Sequence, residues 1–147
     1  MPRQLTAHEC EEFLAERHVA VLSVASDSAR PPLAVPIWYG YVPGGDLTFF
    51  TGTQGRKARK TRLIEKAGVV SLVVQRETLP YRYVTVEGTV VRTDAPPSAE
   101  QMLAVVRRYL PEEQAQGFVA AEIGRPDSTL VLYTVRPDRW LSFDFGD

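Results

Sequence analysis

The 147-residue sequence is poor in cysteine, in histidine and in long hydrophobic runs. Its one cysteine, Cys10, cannot form an intramolecular disulfide, which favours a reducing compartment. The two histidines, His8 and His18, lack the spacing of metal ligands, so no metal site is expected. No apolar stretch is long enough to span a bilayer, and no secretory signal is visible. We therefore expect a cytoplasmic protein without a membrane partner.

An excess of charge of one sign is also absent. The formal net charge is −1 and the isoelectric point is about 6.1, so the chain lacks the global positive field of a nucleic-acid-binding protein. We expect no nucleic-acid partner. Arginine greatly outnumbers lysine, which favours a GC-rich source genome.

The motifs of several common enzyme classes are missing. The glycines at 52 and 55 do not have the spacing of a Walker loop, and no dinucleotide-binding Gly-x-Gly-x-x-Gly occurs. No serine lies in a nucleophile-elbow sequence. Nucleoside triphosphate binding, classical dinucleotide binding and triad hydrolysis are therefore disfavoured.

Positive charge is concentrated in residues 51–62, which hold five of the 17 lysines and arginines, and no acid occurs between 51 and 64. A solvated helix face usually alternates charge signs. This run instead follows a β-rich stretch and leads into a helical pattern, and cations at a helix start are unfavourable unless an anion binds there. The run therefore predicts a phosphate site.

The periodicity of the remaining sequence predicts one domain over residues 1–147, mainly β with α, as an antiparallel barrel with peripheral helices. Capping boxes at Thr6 and Ser98 open two helices, and Pro111 fits the first turn of another. Pro36 indicates an edge strand or a bulge, and Gly88 a bulge. The predicted strands cover residues 19–25, 33–41, 47–51, 69–75, 83–92, 129–135 and 139–143.

Aromatic side chains at two places admit two interpretations. Tyr81 and Tyr83 flank Arg82 at the start of a strand, where they either pack in the sheet or form a wall against a planar ring. Trp38 admits the same two interpretations, and we favour packing.

Residues 12–92 resemble the pyridoxamine 5'-phosphate oxidase-like split β-barrel superfamily. The resemblance rests on a strand ending in threonine, a short glycine-containing loop, the basic helix start, the strand 69–75 and the segment 81–88. Within the superfamily the chain is most similar to the flavin- and deazaflavin-dependent oxidoreductases common in actinobacteria. The implied fold is an FMN-binding split β-barrel.

This resemblance implies a homodimer with two cofactor sites at the subunit interface, each holding FMN or coenzyme F-420. The main phosphate ligand is left open between Lys57, Arg59 and Lys60. The deazaflavin is slightly favoured, because additional Lys and Arg side chains would bind its acidic tail. The residues that match cofactor-binding positions of the family are Val35, Pro36, Ile37, Trp38, Thr51, Thr53, Arg56, Lys57, Arg59, Lys60, Tyr81 and Tyr83.

The function implied is hydride transfer between the bound cofactor and a small unsaturated organic substrate, with no protein residue assigned as catalytic. Vitamin B6 oxidation is disfavoured, because the chain ends without the Arg-containing segment of the true pyridoxamine phosphate oxidases. A non-catalytic flavin- or haem-binding protein on the same barrel is the alternative. Single-stranded nucleic-acid binding through Trp38, Tyr81 and Tyr83 is a third possibility, against which the near-neutral charge argues.

Overall fold

The computed structural model describes residues 1–52 and 58–146, which form a seven-stranded sheet and four helices. Along the sheet the strands follow the order β2-β1-β5-β6-β7-β4-β3. Each pair of neighbours is antiparallel, as predicted for a split barrel. The bounds of the elements are α1 Ala7–Ala15, β1 Ala20–Val24, β2 Leu33–Ile37, β3 Gly40–Tyr41, β4 Leu47–Thr51, α2 Arg59–Ala67, β5 Val69–Arg76, β6 Arg82–Asp94, α3 Ala99–Val106, α4 Glu112–Ile123 and β7 Val131–Asp144.

The main core follows from the alternation of apolar residues along the strands, because successive side chains point to opposite faces of a sheet. Leu22 of β1, Leu72 of β5 and Val86 of β6 are completely buried. Phe13 of α1 and Ile64 of α2 join the same cluster. The helices thus close the interior that the curved sheet leaves open.

Both predicted capping boxes are confirmed. Thr6 caps α1 with Glu9, and Ser98 caps α3 with Gln101. In contrast, α2 begins after Ala58, which offers no side-chain cap. Within the part of the chain that the structure describes, the start of α2 therefore has no side-chain cap like those of α1 and α3, and α4, which begins after Pro111, has none either.

Three predicted boundaries are wrong. The strand expected over 33–41 breaks after Ile37, and the short β3 pairs with β4 instead of continuing β2. The two strands expected over 129–135 and 139–143 are one strand, β7, because a register shift lets Pro137 lie within it. Pro111 is the N-cap of α4 and does not lie in its first turn.

The expected edge position and bulge are both present. Pro36 lies on β2, the first strand of the sheet order, where a missing N–H costs no ladder hydrogen bond. The register between β6 and β7 shifts at Glu87 and Gly88. A Cβ at Gly88 would lie 2.4 Å from Cγ1 of Val135, so the close approach of the two strands there requires glycine.

Helices α3 and α4 pack on each other outside the main core and enclose a smaller one. Its buried members are Met102, Val106, Ala115 and Val119. Phe50 of β4 packs against this cluster from the sheet. Among the described residues, none of the helices has the length and apolarity needed to cross a membrane.

Candidate functional site

A cleft of about 480 Å³ lies where the ends of β1, β2 and β4 meet the helices. We call it the ring cleft. Its lining is mostly apolar and comes from six parts of the chain: the residue before β1, the end of β2, the end of β4, α2, α4 and the residue before β7. The apolar lining residues are Val19, Pro36, Ile37, Trp38, Phe50, Phe118 and Leu130. Thr51, Gly52 and Lys60 supply its polar surface.

Among the described lining residues, Lys60 is the one that carries a charge. It lies in the first turn of α2, and burial lowers the pKa of its ammonium group. No carboxylate among the described residues forms a salt bridge with it. A bound anion would stabilise the desolvated ammonium and also the uncapped N–H groups at the start of the same helix.

The threonine at the end of β4 lies beside this lysine-bearing turn. Thr51 is 4% exposed, and its Oγ1 is 3.4 Å from Oγ1 of Thr61 on α2. The contact joins the end of the strand to the start of the helix, so the predicted hydroxyl at 51 does lie at the cleft. Thr53, Arg56 and Lys57 lie outside the described residues.

The other described cations at the start of α2 point elsewhere. Arg59 Nη2 donates to Ser26 Oγ at 3.2 Å, and Arg62 forms an ion pair with Asp27. The pKa of Asp27 is held below its usual range chiefly by the hydrogen bond from Arg62. Both arginines thus fasten α2 to the turn between β1 and β2. Of the candidates among the described residues, Lys60 lines the cleft and Arg59 does not.

Residues 35–38, four consecutive members of the predicted cofactor-binding set, do not all line the ring cleft. Pro36, Ile37 and Trp38 line the ring cleft, whereas Val35 packs against the main core. Trp38 stacks on Tyr109, with ring centroids 4.7 Å apart and planes 5° apart. The packing favoured for Trp38 is therefore found, although its partner lies on a distant segment.

Tyr81 and Tyr83 do not line the ring cleft of their own chain. They form a cluster with Phe145, with ring centroids 6.2 Å apart between the tyrosines and 5.6 Å apart between Tyr81 and Phe145. Tyr81 also donates from its hydroxyl to Gln75 Oε1 at 2.9 Å. Within one chain, these contacts fit packing.

Three apolar residues of the cleft lining, from β4, α4 and the residue before β7, were not predicted from the sequence. Phe118 of α4 and Phe50 of β4 face each other with ring centroids 6.1 Å apart, and Leu130 lies beside them. Only Phe50 carries a local signal, because the alternation along β4 places this large apolar side chain on the face opposite the buried Phe49. Nothing local distinguishes Phe118.

The histidines are engaged away from the ring cleft. His8 is largely exposed and pairs with Glu12, with Nε2 2.6 Å from the carboxylate. His18 Nε2 lies 3.0 Å from the carbonyl of Phe13, to which it can only donate, and burial lowers the pKa of its imidazole. In the described part of the chain, no three metal-ligating side chains form a group that could hold a metal ion.

The solved structures with similar folds include a reductase and a cofactor-binding protein. An F420 reductase shares 24% identity, with a TM-score of 0.68, over 89% of this chain and 94% of its own. An FAD-binding protein from Mesorhizobium loti shares 20% identity, with a TM-score of 0.63, over 98% of this chain and 96% of its own.

A conserved hypothetical protein from Mycobacterium tuberculosis has the same fold. It shares 17% identity, with a TM-score of 0.70, over 96% of this chain and 86% of its own. At identities of 24% or less, these structural matches show a common fold. No curated protein matches the chain.

A family model for pyridoxamine 5'-phosphate oxidase matches residues 6–138. The match is wider than the 12–92 range of the resemblance and includes α3 and α4, and Phe118 of α4 lines the ring cleft. Because it covers nearly the whole sequence, the chain belongs to the pyridoxamine 5'-phosphate oxidase family.

Proposed function

We propose that this protein is an oxidoreductase that binds FMN or coenzyme F-420 in the ring cleft and transfers hydride between that cofactor and a small unsaturated organic substrate. The observation that carries the proposal is the pairing of an apolar cleft with one partly buried lysine at a helix start. A planar ring with a phosphate at one end has the matching chemistry.

The lining residues fit such a cofactor. Lys60, the hydroxyl of Thr51 and the first N–H groups of α2 would hold the phosphate, while Pro36 and Trp38 would lie along the ring. The bound cofactor would supply the hydride chemistry, and the protein would supply orientation and exclusion of water. Lys60 is the one ionisable side chain among the described lining residues. A mechanism without a protein acid–base pair is consistent with this lining.

The apolar lining from β4, α4 and the residue before β7 supports a substrate that is apolar and flat. Phe50, Phe118 and Leu130 offer aromatic and branched aliphatic surface to whatever lies over the cofactor ring. A conjugated carbonyl or nitro compound of modest size would bury its apolar face there. Between the cofactors, similarity to both an F420 reductase and an FAD-binding protein keeps each candidate in the proposal.

We also propose that the protein, as one cytoplasmic domain, is a homodimer. Strand register aligns Pro36, Val21, Val73, Thr85 and Leu141 in one row across five strands, on the face away from the main core. Val21 is 38% exposed and Leu141 48% exposed. A second copy on this face would cover an apolar surface.

The same face borders the ring cleft. Val19, two residues before Val21, is 55% exposed and also lines the cleft. Pro36 belongs to the row and also lines the cleft, so a second copy covering the row would lie beside the cofactor. This supports cofactor sites at the subunit interface, where Tyr81 and Tyr83 of a partner subunit could close them.

Cofactor titration tests the binding part of the proposal. We expect FMN or coenzyme F-420 to bind at micromolar concentration, followed by quenching of cofactor or tryptophan fluorescence. Lys60→Met should weaken binding by about 10- to 100-fold, the range expected for one charge-assisted contact. Lys66→Met, at the exposed C-terminal end of the same helix, is the matched control and should change binding little. Failure of both cofactors to bind wild-type protein contradicts the proposal.

Turnover separates an enzyme from a non-catalytic flavin-binding protein. The reduced cofactor is mixed with conjugated carbonyl and nitro compounds under anaerobic conditions, with and without protein, and the loss of reduced-cofactor absorbance is followed. An enzyme accelerates oxidation by at least one compound relative to free cofactor. Tight binding without acceleration across the panel supports the non-catalytic alternative.

A further inference from the structure

The hydroxyl of Tyr109 bridges two segments beside the ring cleft. It accepts a hydrogen bond from the backbone N–H of Tyr39 at 3.2 Å and donates to the backbone carbonyl of His18 at 2.6 Å. The β1–β2 ladder ends with Ala20 opposite Ile37. Val19 and Trp38 lie just beyond that pair, and both line the cleft. Tyr109 therefore joins the two segments just beyond the side chains that form this part of the cleft wall.

The bridge replaces a strand contact that is missing there. β2 ends at Ile37, so the N–H and carbonyl of Tyr39 need partners outside the ladder. The N–H is bound by Tyr109, and the carbonyl accepts from Arg108 Nη1 at 2.9 Å. Arg108 Nη2 also donates to the carbonyl of Glu16 at 2.7 Å. The chain just after α3 thus fixes the backbone next to Trp38.

The ring of Tyr109 makes a second contact with the cleft wall. Its stack on Trp38 is nearly parallel, and Tyr109 is 7% exposed whereas Trp38 is 38% exposed. One face of the indole is therefore covered, and the exposed remainder borders the ring cleft. Face-to-face contact with a buried ring restricts the indole to one orientation.

From these contacts we infer that Tyr109 is a positioning residue for ring binding: its hydroxyl and its ring together hold Trp38 as a fixed wall of the cleft. The inference rests on the proposed function in one respect, that the ligand of the cleft carries a planar ring. It assigns a role to the segment after α3, which is distant in sequence from the predicted cofactor-binding residues.

The test separates the hydroxyl from the ring. Trp140→Phe leaves Trp38 as the sole tryptophan of a chain that contains two. In that background, Tyr109→Phe keeps the stack and removes the bridge, and Tyr109→Leu removes both. Acrylamide quenching of Trp38 fluorescence reports its mobility and exposure, and titration with FMN and with coenzyme F-420 reports ring binding.

We expect Tyr109→Phe, which removes both hydrogen bonds of the bridge, to weaken cofactor binding about fivefold or more, and Tyr109→Leu to weaken it further. Quenching of Trp38 should increase in the same order. Tyr41→Phe removes another buried tyrosine hydroxyl, from a residue that does not line the ring cleft, and should alter neither readout.

The inference is overturned when Tyr109→Phe lowers the melting temperature but leaves both quenching and cofactor affinity at the values of the Trp140→Phe parent. That variant decides the matter should Tyr109→Leu fail to fold. A wild-type protein that binds neither cofactor contradicts the proposed function, whereas the quenching series still shows whether Tyr109 fixes Trp38.

Discussion

At the scale of single residues, His18 shows how burial changes an ionisable group. Its side chain is 11% exposed, and its Nε2 donates to the carbonyl of Phe13. Burial is the main cause of its lowered pKa. The carboxylate of Glu16, 3.4 Å from Nε2, acts in the opposite direction, and Arg108 acts in the same direction as burial.

The lowered pKa predicts a loss of stability in mild acid. Below about pH 6.5, the ordinary histidine pKa, the unfolded chain binds a proton at His18 that the folded chain does not bind. The unfolding free energy therefore falls with decreasing pH from that point down to the folded-state pKa, by at most about 1.4 kcal/mol per pH unit. His18→Gln should reduce this dependence in urea melts at pH 7.5 and 5.5.

His8→Gln is the matched control for this prediction. His8 is 79% exposed, so its loss should leave the pH dependence of unfolding unchanged. Carboxylates with lowered pKa, such as Asp144 beside Arg82, lose their stabilising effect only at more acidic pH. Equal pH dependence in wild type and His18→Gln would contradict the prediction.

Lys60, also at the scale of single residues, could not be identified from the sequence as the cation that lines the cleft. The acid-free basic run predicted an anion site, but equivalent cations at neighbouring positions could not be ranked. Ser26 and Asp27 bind Arg59 and Arg62 in the structure, and these partners lie more than 30 residues away in sequence. Among the cations that the structure describes, only the folded chain shows that Lys60 faces the cleft.

At the scale of elements, two glycines with opposite structural roles provide a test of strand and helix packing. A Cβ at Gly88 would lie 2.7 Å from the carbonyl oxygen of Arg136, in backbone that cannot move without opening the β6–β7 ladder. A Cβ at Gly117, inside α4, would meet nothing within 4 Å.

Gly88→Ala should destabilise the protein by about 3 kcal/mol or more, because the added methyl group overpacks a backbone contact. Gly117→Ala should stabilise it by about 0.5–1 kcal/mol, since alanine favours the helix. Chemical denaturation of both variants and the wild type measures these values. A tolerated Gly88→Ala, with unfolding free energy unchanged, would contradict the assigned bulge geometry.

Helices α3 and α4 connect this scale to the site. They enclose their own small core, yet Tyr109 after α3 supports Trp38 and Phe118 of α4 lines the ring cleft. The helical pair packs outside the main core, yet it contributes a residue that supports Trp38 and a residue that lines the cleft. The capping box at Ser98 fixes where this pair begins.

At the scale of the whole molecule, the exposed apolar row predicts self-association. We expect the protein to be a dimer in size-exclusion chromatography with light scattering. Leu141→Glu should shift it to monomer, because a charge would be buried without a partner. Val42→Glu, at a residue that is 72% exposed beside the short turn between β3 and β4, is the matched control and should remain dimeric. A monomeric wild-type protein contradicts the proposal.

The dimer would also affect cofactor binding, because Pro36 of the row also lines the ring cleft. Leu141→Glu should therefore weaken FMN or coenzyme F-420 binding without changing a residue of the cleft. Normal binding by a monomeric variant would indicate that each site is complete within one chain.

The sequence by itself determined the class of fold and most of its elements, and it predicted an anion site. Alternation, capping boxes and the acid-free basic run act between residues a few positions apart, so their consequences can be derived locally. The break after Ile37 and the continuity of β7 depend on pairing with distant strands, and local patterns did not predict them.

Only the tertiary structure decided which residues form the ring cleft. The bridge from Tyr109 to Tyr39 joins positions 70 residues apart, and Phe118 meets Phe50 through the packing of α4 on the sheet. Such contacts depend on how helices pack against strands, which no short-range pattern encodes. The basic residues that predict an anion site are thus close together in the sequence, whereas the shape of the cleft results from the packing of segments across the whole chain.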